Sequence, residues 1–529
     1  MAQINAIESG PISTGTVAPR PIFAVGAVLL GSFLANFDSR LFLVALPDMR
    51  GAFSLGFDEA SWLSTATTAM QILIAPAVAW LATAFGLRRV LGIPSLVYAV
   101  VSLLMPLMQD YSTLMALNIL RGLLLGTFVP ATLMIIFRNL PMRWWLPAIA
   151  IYGIRVGFSL NFGVAMVGFY ESQWGWQWLF WQDVVIAPLM GLFVYLGTPA
   201  EPIDRALVRN ADWGGMLLLG AGMAMIYAGL DQGNRLDWFS SGTVTVLLGG
   251  GALLAVLFLI NEAVVAHPWA EARVILSRNI GLNLVMIVLY ALTGLSNAAL
   301  VPNFLLGIAG LRAEQIGPLF LFAAALPMLI MLPLSIIVVR IVDARYVLMI
   351  GLLAFFAAGW LGTRLTHEWA VVDFIPILLL QAVGQAFSLL PIILITLANS
   401  NPQHATAFAA YIQVVRLGGA EIGVALMSTW LRVREQVHSN LLGQHVANGS
   451  AHVTDLLARL TAGFTPHGMG EAVGRAMATL AGLVQREANV LAYIDGFWLT
   501  TWCAIVALIV LAGITAAPPG PFTPHSQTR

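Results

Sequence analysis

The chain has 529 residues, 59% of them hydrophobic and only 9% charged, whereas soluble proteins carry about 25% charged residues; a soluble globular fold is excluded. Its 25 acidic residues balance 25 basic ones, and every basic residue is arginine. Without lysine there is no phosphate-loop nucleotide site and no Schiff-base chemistry, and the single cysteine, Cys503, leaves no internal disulfide and no thiolate-clustered metal site.

Residues 1–20 are polar and aperiodic and lack the charged start and apolar run of a secretory signal, so a disordered, uncleaved cytoplasmic tail is expected. A spanning helix needs about 20 apolar residues. Runs of that kind follow at 22–46, 62–85, 90–107, 112–137, 146–169 and 179–196, then at 213–230 and 244–260. Six more occupy 280–306, 316–339, 347–361, 374–397, 405–430 and 497–511. The expected fold is an all-α polytopic membrane protein with 14 transmembrane helices in a six, two, six order. Its expected parts are a six-helix bundle over 21–198, two linking helices over 199–278, a second bundle over 279–516 and a cytoplasmic C-terminus over 517–529.

Arginine bias in short loops sets the expected orientation. With the N-terminus inside, that side collects Arg20, Arg88, Arg89, Arg138, Arg143, Arg205, Arg209, Arg273, Arg278, Arg340, Arg345 and Arg529, against Arg50, Arg235, Arg312 and Arg364 outside. Both termini are therefore expected in the cytoplasm. Helix parity then makes the long connection 432–493 extracytoplasmic. Its second half keeps Val473, Met477, Leu480, Leu483 and Val484 at helical spacing without a breaker, which predicts one long helix running into the last span.

The two six-helix blocks look like copies. Arg155-Val-Gly157 precedes Gly163 in the fifth span, and Arg416-Leu-Gly418 precedes Gly423 in the thirteenth. Paired bundles facing a central cavity are a transporter plan, with sites near the bilayer midplane.

Several stretches carry a family resemblance. The run Phe37-Asp38-Ser39-Arg40-Leu41-Phe42-Leu43-Val44-Ala45-Leu46-Pro47 resembles the Leu-Asp-x-Thr-Ile-Val-Asn-Val-Ala-Leu-Pro signature of the fourteen-helix drug:proton antiporter branch of the major facilitator superfamily, the group of EmrB-like and FarB-like efflux permeases. The loop 81–89 keeps the Gly86-x-Arg88-Arg89 half of the superfamily's second-to-third-helix motif, with Thr83 at the usual aspartate. Arg121, with Pro130 nine residues on, is similar to the fourth-helix motif; Trp176-Gln177-Trp178 to Asp183-Val184 resembles Trp-Arg-Trp-Ile-Phe-x-x-Asn-Val. The antiporter Gly-Pro-x-x-Gly-Gly of the fifth helix reads Gly163-Val164-Ala165-Met166-Val167-Gly168 here, without the proline. The stretch 485–497 is similar to the loop end of EmrB-like permeases. The resemblance implies proton-coupled efflux and extends to a periplasmic adaptor and an outer-membrane channel as partners.

Ionisable groups inside spans cost about 2.5 kcal/mol or more and are functional candidates by default. Asp38 and Arg121 both fall about 5 Å to the outer side of the midplane by helix rise, so they can pair; the pair is read as a proton-coupling element or as static packing. Glu421, five residues from Arg416 and on a different helix face, is the second proton-site candidate. Arg155 and Arg416 on equivalent helices could flank one cavity from its two halves, or be satisfied by carbonyls or a neighbouring carboxylate. Arg40, Asn297, Gln381, Gln385 and Gln413 complete the candidate substrate lining, or serve as interhelix packing groups. Asp183, near an outer helix end, is expected at the rim of that lining. Arg40, Arg121, Arg155 and Arg416 outnumber Asp38 and Glu421 at depth, which points to an anionic or zwitterionic substrate. The histidines lack metal-ligand spacing, and neither a metal nor a cofactor is expected.

The expected function is a proton-coupled secondary transporter exporting amphipathic compounds such as drugs or fatty and aromatic acids across a bacterial inner membrane. The same fold could instead import an anionic nutrient; a non-transporting membrane sensor or enzyme is the remote alternative, lacking any nucleophile-elbow, metal or nucleotide motif.

Overall fold

The computed structural model describes residues 20–265, 268–270, 278–398, 405–447, 450–464 and 469–514. The N-terminal tail and the end of the chain lie outside these. Among the described residues 14 helices are long and apolar enough to cross a membrane, and there is no strand. Each of the 14 overlaps an apolar run of the sequence.

Local chemistry sets several helix starts. Pro21 opens the first span, helix Pro21–Ala52, where its missing N–H costs nothing. The Asp110 carboxylate accepts from the Thr113 N–H at 2.9 Å at the start of the fourth span, Tyr111–Met134. Asp212 accepts from Gly215 N–H at 2.8 Å at the seventh, Trp213–Gly233, and Asp343 from Arg345 N–H at 2.9 Å at the eleventh, Ala344–Gly362. Each satisfies an otherwise orphaned backbone donor. These aspartates lie just outside the apolar runs.

Two of the interfaces between the parts of the fold show how close the helices come. The fifth span, whose helix is Met142–Phe169, runs along the tenth, Ala313–Ile341, and joins the first six spans to the last six. Close approach needs glycine there: a Cβ on Gly168 would sit 2.7 Å from the Glu314 backbone. Small residues of this kind let helices gain dispersion contact where lipid offers no hydrophobic drive. The second interface attaches the linking pair. The seventh span lies on the second, where a Cβ on Gly220 would meet the Leu73 carbonyl oxygen at 2.2 Å. The eighth, Gly242–Val264, is only 17% buried and so faces lipid.

The thirteenth-span helix continues to Ala447, a separate helix covers Ala451–Phe464, and the last helix is unbroken from Met469 to Gly513 over 45 residues. At 1.5 Å per residue it is about 68 Å long, roughly twice the hydrocarbon thickness. The single long helix expected from periodicity is present. Its apolar positions do not all face a core, for Val473 and Met477 are exposed. Arg434 Nε donates to Asp495 Oδ2 at 2.6 Å, His438 Nε2 lies 2.7 Å from the same oxygen, and His367 pairs with Glu487 at 2.9 Å. These contacts tie the base of this arm together.

Candidate functional site

Four of the first six spans converge on a buried ionic cluster. Asp38 comes from the first span, Arg121 from the fourth and Asp183 from the sixth, whose helix is Trp178–Gly197. All three side chains are 0% exposed. Arg121 Nη2 donates to Asp38 Oδ1 at 2.6 Å and to Asp183 Oδ2 at 2.7 Å. The third span supplies the neutral partners: Tyr98 donates its hydroxyl to Asp38 Oδ2, and Ser102 donates to Asp183 Oδ2 at 3.3 Å while accepting from Arg121 Nε at 3.4 Å. The rings of Tyr98 and Phe180 lie 5.1 and 4.9 Å from the guanidinium carbon, an arrangement that stabilises a desolvated cation.

The expected meeting of Asp38 and Arg121 is present. The rim position expected for Asp183 is corrected: its carboxylate is fully buried and shares the arginine. Position in the span gave a shallow depth for Asp183, but one guanidinium nitrogen, Arg121 Nη2, bonds both carboxylates and so holds them side by side. The cluster therefore holds two acids and one base. Arg121 Nη1 and Asp183 Oδ1 have no hydrogen-bond partner.

The last six spans are built differently. Asn297 in the ninth span donates from Nδ2 to Asn161 Oδ1 of the fifth at 2.9 Å, across the two halves. Gln381 in the twelfth donates to the Thr293 carbonyl at 3.4 Å. The side-chain oxygens of Asn297, Gln381 and Gln385 are buried without a partner, as are both polar atoms of Asn283 and the Ser388 hydroxyl. Buried amides are normally satisfied, so each of these atoms is open to a water or ligand partner. The Gln413 oxygen, by contrast, is occupied. It accepts from Arg416 Nε at 3.1 Å and Nη2 at 2.9 Å, one turn along its own helix.

Glu421 lies half-buried on the thirteenth span, within electrostatic reach of Tyr227 on the seventh together with Asp231. Asp231 accepts from the Thr65 hydroxyl at 2.5 Å. The backbones of Arg40 and Arg155 are helical, but their side chains lie outside the described residues. The surplus of deep arginine expected from the sequence is narrowed by Asp183, which joins Asp38 on Arg121; Asp231 has Arg235 as its own cationic neighbour.

Sequence reasoning missed Tyr98, Ser102, Phe180, Asn161 and Asp231. The signal for the first two was available: a tyrosine and a serine four residues apart, on one helix face, in an otherwise apolar span.

Fourteen candidate spans with an ionic cluster buried among them are the plan of a membrane transport protein. The chain belongs to the Major Facilitator Superfamily, whose description matches residues 28–424. Multidrug export protein EmrB of Haemophilus influenzae is 24% identical over 469 residues, covering 84% of this chain and 86% of that protein. Fatty acid resistance protein FarB of Neisseria gonorrhoeae is 23% identical over 444 residues, covering 82% and 85%. The solved structure of the proton:xylose symporter XylE bound to 6-bromo-6-deoxy-D-glucose superposes with a TM-score of 0.55 at 12% identity, over 92% of this chain and 94% of that one. At that identity the likeness is one of fold.

Proposed function

We propose that this chain is a proton-coupled exporter of amphipathic small molecules across a bacterial inner membrane, with both termini in the cytoplasm. The observation that carries the proposal is the charge count at Arg121: one guanidinium against two carboxylates, all at zero exposure. An uncompensated charge in such surroundings is costly, and a single bound proton makes the cluster neutral. Rocking of the bundles that opened the cluster to one side and then the other would exchange that proton. A pH difference of one unit supplies about 1.4 kcal/mol per proton, and 100 mV about 2.3 kcal/mol per charge. The names of the relatives, multidrug export and fatty acid resistance, support an amphipathic substrate.

In this reading Asp38 and Asp183 share the exchangeable proton, Arg121 is their fixed counter-ion, and Glu421 is a second acid. Arg155, Arg416, Arg40, Asn297, Gln381 and Gln385 line the substrate path, and Gln413 holds Arg416 in place. The arm built from residues 432–493 is the surface for a periplasmic adaptor that leads on to an outer-membrane channel; deleting 443–470 should then leave substrate binding in detergent intact but lower export from cells. Equal export by the deleted form would remove the arm from the account.

The second reading is proton-coupled import of an anionic nutrient. The unbroken helix through Val164 favours it, because the helix-bending proline of the antiporter signature is missing there. Reconstituted vesicles with an imposed pH gradient separate the two. Export predicts substrate and protons moving in opposite directions; movement in the same direction supports import, and no proton movement sinks both.

A further inference from the structure

The third and sixth spans form a groove on the outside of the bundle, at the end that carries the Arg88-Arg89 pair. Its volume is about 360 Å³. Gly92 and Gly191 form the floor, where a Cβ on Gly191 would collide with the Ser95 hydroxyl at 2.4 Å. Ile93, Leu96, Leu192 and Tyr195 form the walls and are all exposed. Leu96 is two turns from Arg88, so the groove runs about 12 Å toward the bilayer centre.

The Arg88 side chain closes the membrane-surface end. Its Nε donates to the Thr198 carbonyl at 2.8 Å and its guanidinium carbon lies 4.7 Å over the Tyr195 ring, which fixes its position. Among the described residues nothing pairs with its Nη1 and Nη2. Arg89 is committed to the Phe85 and Glu201 carbonyls, each at 3.0 Å, and the Glu201 carboxylate to Arg138 at 3.3 Å. A fixed guanidinium with two free donor groups at the mouth of an apolar channel matches a phosphate with a hydrocarbon tail.

We infer that this groove binds one anionic phospholipid, its phosphate on Arg88 and an acyl chain along Leu96 and Leu192. Basic pockets between spanning helices at the membrane surface recognise such head groups. The same two helices carry Tyr98, Ser102 and Asp183, so a lipid seated here braces the pair that positions the ionic cluster.

The test is native mass spectrometry of the full-length protein after equilibration with vesicles of phosphatidylglycerol and phosphatidylcholine. The wild type should retain phosphatidylglycerol in preference. Arg88→Gln should bind it about fivefold more weakly, the worth of one arginine at a charged surface. Leu192→Trp, at a lipid-exposed position that leaves folding untouched, should displace it by filling the channel, while Arg312→Gln at the opposite membrane face should change nothing. Equal retention of the two lipids, or undiminished retention by Arg88→Gln, overturns the proposal. So does glycerol phosphate binding as tightly as the whole lipid, because the channel would then contribute nothing.

Discussion

The two halves of this transporter bury polar groups in opposite ways. In the first six spans the fully buried charges are concentrated in one place: one arginine and two aspartates, joined by hydrogen bonds to each other and to a tyrosine and a serine. In the last six the fully buried polar groups are neutral, and open acceptors remain on Asn297, Gln381 and Gln385 along the ninth and twelfth spans. Charge is tolerated in low dielectric only when paired, so a charged cluster must be compact. A lone amide costs less to leave open, and so can wait for a ligand. The difference suggests a division of labour in which one half handles the proton and the other presents hydrogen bonds to the cargo.

The comparison can be broken most severely at Arg121. Arg121→Gln leaves Asp38 and Asp183 facing each other without a cation, and should cost about 3–5 kcal/mol, read as a lowered thermal midpoint in detergent. Adding Asp38→Asn to that variant should restore part of the loss; no recovery would mean that Arg121 acts by packing alone. A smaller effect is expected for Tyr98→Phe, which removes one hydrogen bond to a carboxylate, worth about 1.5–3 kcal/mol, and keeps the ring beside the guanidinium. Transport by this variant should shift its pH dependence, whereas an unaltered profile would take Tyr98 out of the cluster's chemistry. Least disruptive should be Gln385→Leu in the other half. Because its Oε1 is already unpartnered, stability should change by less than about 1 kcal/mol while substrate affinity falls. A large loss of stability with unchanged affinity would show that the open amides are structural.

How much of this was legible beforehand depended on whether a feature is local. The 14 spans and the long last helix were readable because hydropathy and period are properties of consecutive residues. The Asp38 and Arg121 pair was readable from depth, since helix rise converts sequence position into height. The burial of Asp183 is not legible because height along a helix does not say which face points inward, and Tyr98 and Ser102 do not stand out because neutral polar residues are routine in spans. Gln413 looked like Gln385 in sequence; only the fold reveals that one is occupied by Arg416 and the other open. The contact of Asp231 with Thr65 joins the seventh span to the second across 166 positions, and no local pattern encodes such a meeting.

The central claim is that the Arg121 cluster holds an exchangeable proton, and the most direct measurement is proton release when substrate is added to the detergent-solubilised protein in weakly buffered solution. The account predicts release from the wild type, none from Asp38→Asn combined with Asp183→Asn, and retained substrate binding in that double variant. Undiminished proton release by the double variant would contradict it and move the coupling site elsewhere, with Glu421 and Asp231 the next acids to test.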